Sequence, residues 1–187
     1  ISNCTLASKN GKNILSIGDS QTGHLKPLLS KIHNINGYGI KFYSSNGTNF
    51  PSLIETRNYE KNPDEFKLKY KKSIDYFNYY FSKLKSGDII ILSSRYELRW
   101  GKRPIPREQR NLKFTYYDSS NKILSRDESY ERWKTLFDNL AEKSLKKGIK
   151  VIIFNSIPTF PYVVNKSKQW FNSLNNTNFG LKREEYI

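Results

Sequence analysis

The stretch from Asn13 to Ser20 most constrains how this chain can fold. Its apolar run, residues 14–17, is typical of a buried strand. The run stops at Gly18, a residue type that adopts backbone angles other residues avoid. A helical pattern starts near Ser20. The sequence therefore predicts a strand, a sharp turn and a helix, with the Ser20 hydroxyl at the carboxyl end of the strand.

The position of Ser20 at the end of the strand can be interpreted in two ways, as a catalytic site or as a purely structural turn. In open α/β sheets, ligands bind at the carboxyl edge, and a helix N-terminus directs free N–H groups and partial positive charge there. A nucleophile in this position has an oxyanion donor beside it. The structural reading is a tight turn in which Asp19 or Ser20 caps the helix. The stretch is not a Gly-x-Ser-x-Gly elbow, because Thr22 stands where glycine is required.

The rest of the chain predicts a doubly wound α/β domain. Apolar runs alternate with helical patterns, and the runs at 89–92 and 151–154 have the composition of parallel strands buried on both faces. We expect a linker at 1–12, a single domain at 13–187, and strand order 2-1-3-4 by analogy with flavodoxin-like sheets. The expected strands are 13–18, 40–44, 88–94 and 150–155, with a hairpin at 114–124. The expected helices follow Ser20, span the aromatic repeat from Phe66 to Leu84, and begin at a Ser125–Glu128 capping box.

Charge and cysteine content limit the partners. The net charge of +15 suggests an acidic partner: nucleic acid, an anionic glycan or a membrane surface. Lysine is abundant throughout, however, and falls mostly on the polar faces of helices, so we expect a solvated basic surface rather than a dedicated nucleic-acid site. Cys4 is the only cysteine, which excludes an internal disulfide or a cysteine-based metal cluster. We expect no metal and no cofactor.

Several candidate residues follow predicted strand ends. Gly47 lies in a turn-rich loop, 45–51, after the second strand, and Arg95 follows the third. If the strands are parallel, these residues share one sheet edge with Ser20 and the loop after Asn155. Trp100 and a basic loop at 101–112 come next in the chain.

Ile17-Gly18-Asp19-Ser20 resembles block I of the SGNH hydrolases. The segments 21–29, 91–96, 157–161 and 181–186 look like one branch of that superfamily, the SGNH domain fused behind the membrane part of acyltransferase family 3 O-acyltransferases. The resemblance covers residues 1–187 in the right order. It implies a three-layer, flavodoxin-like sheet with helices on both faces.

The resemblance also implies a mechanism. Ser20 is the expected nucleophile, and the N–H groups of Ser20 and Gly47 form the expected oxyanion hole. Asp19 shapes the turn and, with Arg95 and Trp100, contributes to substrate binding. The implied reaction is O-acyl transfer, with acetyl as the expected group, from an acyl donor to an envelope polysaccharide, or ester hydrolysis on that polysaccharide. The domain is expected outside the cytoplasmic membrane, tethered by an N-terminal membrane acyltransferase domain.

The chain also departs from the family pattern. The family has an Asp-x-x-His segment that supplies the orienting acid and the general base, whereas the only histidines here are His24 and His33. We expect the base-bearing segment to lie beyond residue 187, so that the domain is truncated. Gln21 occupies a position at which the family often has histidine. The family's block III supplies an asparagine to the oxyanion, and no such asparagine is evident here. Arg95 is the nearest residue, and its charged N–H donors could bind the oxyanion instead.

Three functions remain open on the sequence alone. The first is acyl-ester chemistry through Ser20. The second is a catalytically inactive, SGNH-like glycan-binding domain, because serine without a base is a poor nucleophile. The third, motivated only by charge, is nucleic-acid binding, whose signature is an affinity that falls steeply with salt.

Overall fold

Two sheets organise the chain. The structure, a computed structural model, describes residues 2–57, 63–96, 99 and 114–154. Within these ranges it contains eight strands and four helices. The strands are β1 (Ser2–Leu6), β2 (Asn13–Gly18), β3 (Gly39–Ser44), β4 (Ile54–Arg57), β5 (Ile89–Ser93), β6 (Phe114–Tyr117), β7 (Ile123–Leu124) and β8 (Lys150–Phe154). The helices are α1 (Ser20–Gly23), α2 (Lys26–Asn36), α3 (Pro63–Lys83) and α4 (Arg126–Lys146).

The main sheet has the order β1-β3-β2-β5-β8. Strands β3, β2, β5 and β8 are parallel, which confirms the predicted α/β class and the order 2-1-3-4. Strand β1 is antiparallel to β3, so the interpretation of residues 1–12 as a linker is wrong for Ser2–Leu6. Its polar residues are compatible with an edge strand, which is flanked on one side only.

Helices cover both faces of this sheet. On one face, Leu15 and Ile17 of β2 pack in a cluster with residues of α3 and α4, including Phe77 and Leu140. On the other, Ile14 packs with residues of α2, β3 and β5. The alternation follows from the strand period of two. These described residues form the three layers that the sequence predicts.

Strand β8 is less buried than its composition suggests. Ile152, Ile153 and Phe154 are 41%, 53% and 36% exposed, whereas residues 151–154 were expected to be buried on both faces. Within the described residues, β8 is the last strand of the sheet and pairs only with β5, so these residues place no further strand along its outer flank.

The helix after Ser20 is broken in two. Backbone hydrogen bonds from His24 and Leu25 reach back only three residues, a tight turn between α1 and α2. Pro27 lies in the first turn of α2, where its missing N–H removes no intrahelical hydrogen bond. The single helix expected after Ser20 is thus two helices, α1 and α2.

A second sheet, β4-β6-β7, is antiparallel. The hairpin of β6 and β7 and the capping box at Ser125 and Glu128 confirm the sequence predictions. Strand β4 was not predicted; its four residues pair with β6, about sixty positions later in the chain. This sheet brings Glu55 of β4 towards the candidate site.

Candidate active site

The turn at the end of β2 depends on glycine. A Cβ atom on Gly18 would collide with the backbone carbonyl oxygen of Ser93 and with the Thr22 hydroxyl. The bare backbone instead lets Thr22 Oγ1 donate a 2.6 Å hydrogen bond to the Ser93 carbonyl. This contact holds the start of α1 against the end of β5.

Asp19 stabilises the turn through its side-chain carboxylate. Its side chain is 3% exposed, and its carboxylate accepts hydrogen bonds from the backbone N–H of Gln21 at 2.8 Å and of Arg95 at 2.9 Å. The first bond makes Asp19 the N-cap of α1. The second ties the turn to the segment after β5. Asp19 therefore shapes the turn, as the sequence predicts.

Burial raises the pKa of Asp19. The hydrogen bonds from Arg95 and Gln21 and the positive charges of Arg99 and Arg95 lower it, but they do not offset the desolvation. The Asp19 carboxyl is therefore buried, and backbone N–H donors and two nearby arginines stabilise its ionised form.

Ser20 follows as the first residue of α1 and is exposed. Within the described part of the chain, no hydrogen bond engages its hydroxyl or its backbone N–H. N–H groups in the first turn of a helix have no intrahelical acceptor. The hydroxyl and a potential oxyanion donor are thus presented together at the carboxyl edge of the central strand.

The loop after β3 is bound to the same turn. Ser44 Oγ donates to the Asp19 carbonyl at 2.8 Å, and the Ser45 N–H donates to the Gly18 carbonyl at 3.0 Å. Gly47, with φ of 80°, occupies the third position of a turn closed by a hydrogen bond from Thr48 N–H to the Ser45 carbonyl. A positive φ at this position favours glycine.

Ser94 joins the loops that follow β2 and β3. Its Oγ accepts hydrogen bonds from Asp19 N–H at 3.2 Å and from Phe50 N–H at 3.3 Å. Tyr96 adds a hydrogen bond from its hydroxyl to the Phe50 carbonyl. Burial raises the pKa of Tyr96 above its usual range, so this phenol stays neutral and remains a donor.

Arg99 and Glu55 form a buried ion pair that supports the Gly47 loop. Their side chains are 2% and 3% exposed, and both Nε and Nη2 of Arg99 donate to the Glu55 carboxylate, the former at 2.8 Å. Arg99 Nη2 also donates to the Gly47 carbonyl at 2.7 Å, and the guanidinium lies 4.7 Å from the centre of the Phe114 ring. One guanidinium thus connects the Gly47 loop with β4 and β6.

The structure brings Ser20, the Gly47 loop and Arg95 to one edge, and it adds Ser94, Arg99 and Glu55, which sequence reasoning did not assign to the site. The catalytic and binding roles of Ser20, Gly47 and Arg95 stay predictions. Trp100, the basic loop 101–112 and the loop after Asn155 lie outside the described residues. Arg95 is half-buried, and its backbone N–H makes the contact with Asp19.

In the described part of the chain, no hydrogen bond joins either histidine to Ser20. His24 is exposed at the end of α1. His33 lies near the end of α2, where its Nδ1 is 2.8 Å from the Tyr38 carbonyl. No group of three or more His, Cys, Asp or Glu residues in the described ranges has the geometry of a metal site.

A family model decides the assignment. The model of the SGNH domain that is fused to acyltransferase-3 (AT3) domains matches residues 2–186. The chain belongs to this SGNH domain family. No curated protein and no solved structure matches it.

The family assignment identifies the fold and the partner domain. The SGNH domain has the flavodoxin-like fold of hydrolases and acyltransferases, and a membrane acyltransferase domain is its partner in the family. The resemblance seen in the sequence is confirmed. Of the described residues, no helix is long and apolar enough to cross a bilayer.

Proposed function

We propose that this SGNH domain transfers an acyl group, acetyl in the simplest case, through Ser20 to a sugar hydroxyl of an envelope polysaccharide, outside the cytoplasmic membrane. The observation that carries the proposal is the exposed Ser20 hydroxyl on a turn that Asp19, Ser94 and the backbone of Arg95 hold in place. A fixed turn of this kind suits a nucleophile, because catalysis depends on preorganised geometry.

The proposed reaction has two steps. Ser20 Oγ attacks the carbonyl carbon of an acyl ester, a base takes the hydroxyl proton, and the bond to the donor oxygen breaks as that oxygen is protonated. A sugar hydroxyl then attacks the acyl-serine and loses its proton to the base, and the bond to Ser20 Oγ breaks as the base returns a proton to that oxygen. Water in place of the sugar gives ester hydrolysis. The N–H groups of Ser20 and Gly47 are the proposed donors to the oxyanion in both steps.

The base is proposed to be the histidine of an Asp-x-x-His segment C-terminal to residue 187. The described residues place no histidine against Ser20, and residues 155–187 contain none. A serine hydroxyl is almost wholly protonated near neutral pH, and general-base help contributes about 10² to 10⁴ in rate.

The test compares hydrolysis of a chromogenic acetyl ester by two proteins, the 187-residue chain and a longer chain that continues through an Asp-x-x-His segment. We expect little turnover by the first and clear turnover by the second. Ser20→Ala in the longer chain should reduce turnover to background. Ser30→Ala, a change at an exposed serine on α2, should leave it intact.

Three outcomes contradict the proposal or its assignment of the base. Turnover that survives Ser20→Ala excludes Ser20 as the nucleophile. A folded longer chain without turnover on any acyl ester favours the glycan-binding alternative. Full activity of the 187-residue chain, lost in His24→Ala, would instead identify His24 as the base.

A further inference from the structure

A groove lies away from Ser20, between the edge strand β1 and helix α3. Its volume is about 640 Å³. Four tyrosines line it, Tyr43 from β3 and Tyr76, Tyr79 and Tyr80 from α3, together with Asn3, Lys72 and Asp75. The pairing of Asn3 with Tyr43 places β1 along one side of the groove.

The tyrosines form a continuous aromatic cluster, in which Tyr43 is buried and Tyr79 is exposed. Ring centres are 4.7 Å apart for Tyr43 and Tyr76, 4.6 Å for Tyr76 and Tyr80, and 4.9 Å for Tyr79 and Tyr80. The Tyr76 hydroxyl donates to the Phe42 carbonyl at 3.0 Å, and the Tyr80 hydroxyl lies 3.3 Å from Thr5 Oγ1. The rings are thus positioned before any ligand arrives, which lowers the entropic cost of binding.

Three lysines lie in or near the groove. Lys72 lines it, and Lys41 and Lys83 lie 5.7 Å and 3.6 Å from the ring centres of the lining residues Tyr80 and Tyr79. Among the lining residues, Asp75 has the one carboxylate. The excess of lysine favours an anionic ligand.

We propose that this groove binds an acidic segment of a carbohydrate chain. The C–H face of a sugar ring stacks on an aromatic ring such as Tyr79, which is 56% exposed, and its hydroxyls bond to Asn3 and Asp75. Carboxylates on the sugar lie near the lysines. A single-stranded nucleic acid also stacks on aromatic rings, so the test includes a hexathymidylate.

Strand β3 connects the groove with the candidate active site. Tyr43 precedes Ser44, whose hydroxyl bonds to the Asp19 carbonyl. This inference rests on the proposed function and narrows it, because it makes the acceptor an acidic polysaccharide.

The test measures binding by titration calorimetry in Ser20→Ala protein, so that no ester chemistry interferes. The probe is a hexamer of galacturonic acid, and its fully methyl-esterified form is the neutral match. We expect the acidic hexamer to bind at least about fivefold more tightly than the neutral one. Tyr79→Ala should weaken binding by roughly fivefold to tenfold, whereas Tyr130→Ala, at a 40% exposed tyrosine on α4, should not.

Three results overturn the proposal: binding unchanged in both Tyr79→Ala and Lys72→Gln, equal binding of the two hexamers, or tighter Tyr79-dependent binding of a hexathymidylate. Circular dichroism confirms that each variant is folded. Because Ser20→Ala protein is used, failure of acyl transfer leaves the groove result standing, and failure of binding leaves the Ser20 assay untouched.

Discussion

At the residue scale, Asp19 combines a structural role with an electrostatic cost. It caps α1 and accepts the Arg95 N–H, yet it is 3% exposed. Burying a carboxylate is unfavourable unless donors compensate. Here the backbone donors and two arginines compensate only in part, which leaves the pKa of Asp19 raised.

A pH dependence follows from that raised pKa. The folded protein binds a proton at Asp19 more tightly than the unfolded chain does, so this carboxyl contributes most to stability below its unfolded pKa of about 3.9. The contribution is lost as pH rises through the folded pKa. Between about pH 4 and about pH 7, the free energy of unfolding of the wild type should therefore fall relative to that of Asp19→Asn.

Chemical denaturation at several pH values measures this difference. Asp138→Asn, at an exposed carboxyl on α4, sets the background. A wild-type protein that gains stability over Asp19→Asn as pH rises would show that hydrogen bonding, rather than desolvation, dominates at Asp19.

At the element scale, sequence reasoning succeeds where the signal is local. The strand, glycine turn and helix around Ser20 occupy consecutive residues, and the capping box at Ser125 spans four. It fails where an element depends on distant partners. Strand β4 is four residues long and pairs about sixty positions away, and Glu55 meets Arg99 across 44 positions. No local pattern reports either contact.

The Arg99–Glu55 pair connects the second sheet to the Gly47 loop, and its removal tests that link. Loss of one partner leaves a buried charge unpaired, so Arg99→Gln and Glu55→Gln should each destabilise the protein by about 3–5 kcal/mol. The double variant should lose less than the sum, because it leaves no isolated charge.

Urea denaturation of the four proteins gives the coupling energy directly. Glu142→Gln removes one partner of an exposed pair with Lys146 and should leave the transition almost unchanged. Strictly additive losses in the double variant would show that the two side chains act independently and that Arg99 does not hold the Gly47 loop through Glu55.

At the scale of the whole molecule, the described main sheet extends one strand further than its parallel core. Strand β1 covers the edge of β3, with pairs from Ser2–Ser44 to Leu6–Ile40. Leu6 also packs against the cluster beneath α2. The polar composition of residues 1–12 gave no reason to expect this strand, because an edge strand needs few apolar side chains.

Deletion of residues 1–7 tests whether β1 is part of the folded domain. The deletion exposes the backbone N–H and C=O groups along the edge of β3, and it removes the contacts of Leu6 and the Thr5–Tyr80 pair. We expect the urea midpoint to fall, and we expect concentration-dependent association in light scattering, because an open strand edge is a template for pairing with another chain. Cys4→Ser, at an exposed position, should change neither. A flexible linker can be removed without consequence, so an unchanged midpoint and a monomeric deletion variant would mean that β1 contributes nothing to the stability of the sheet.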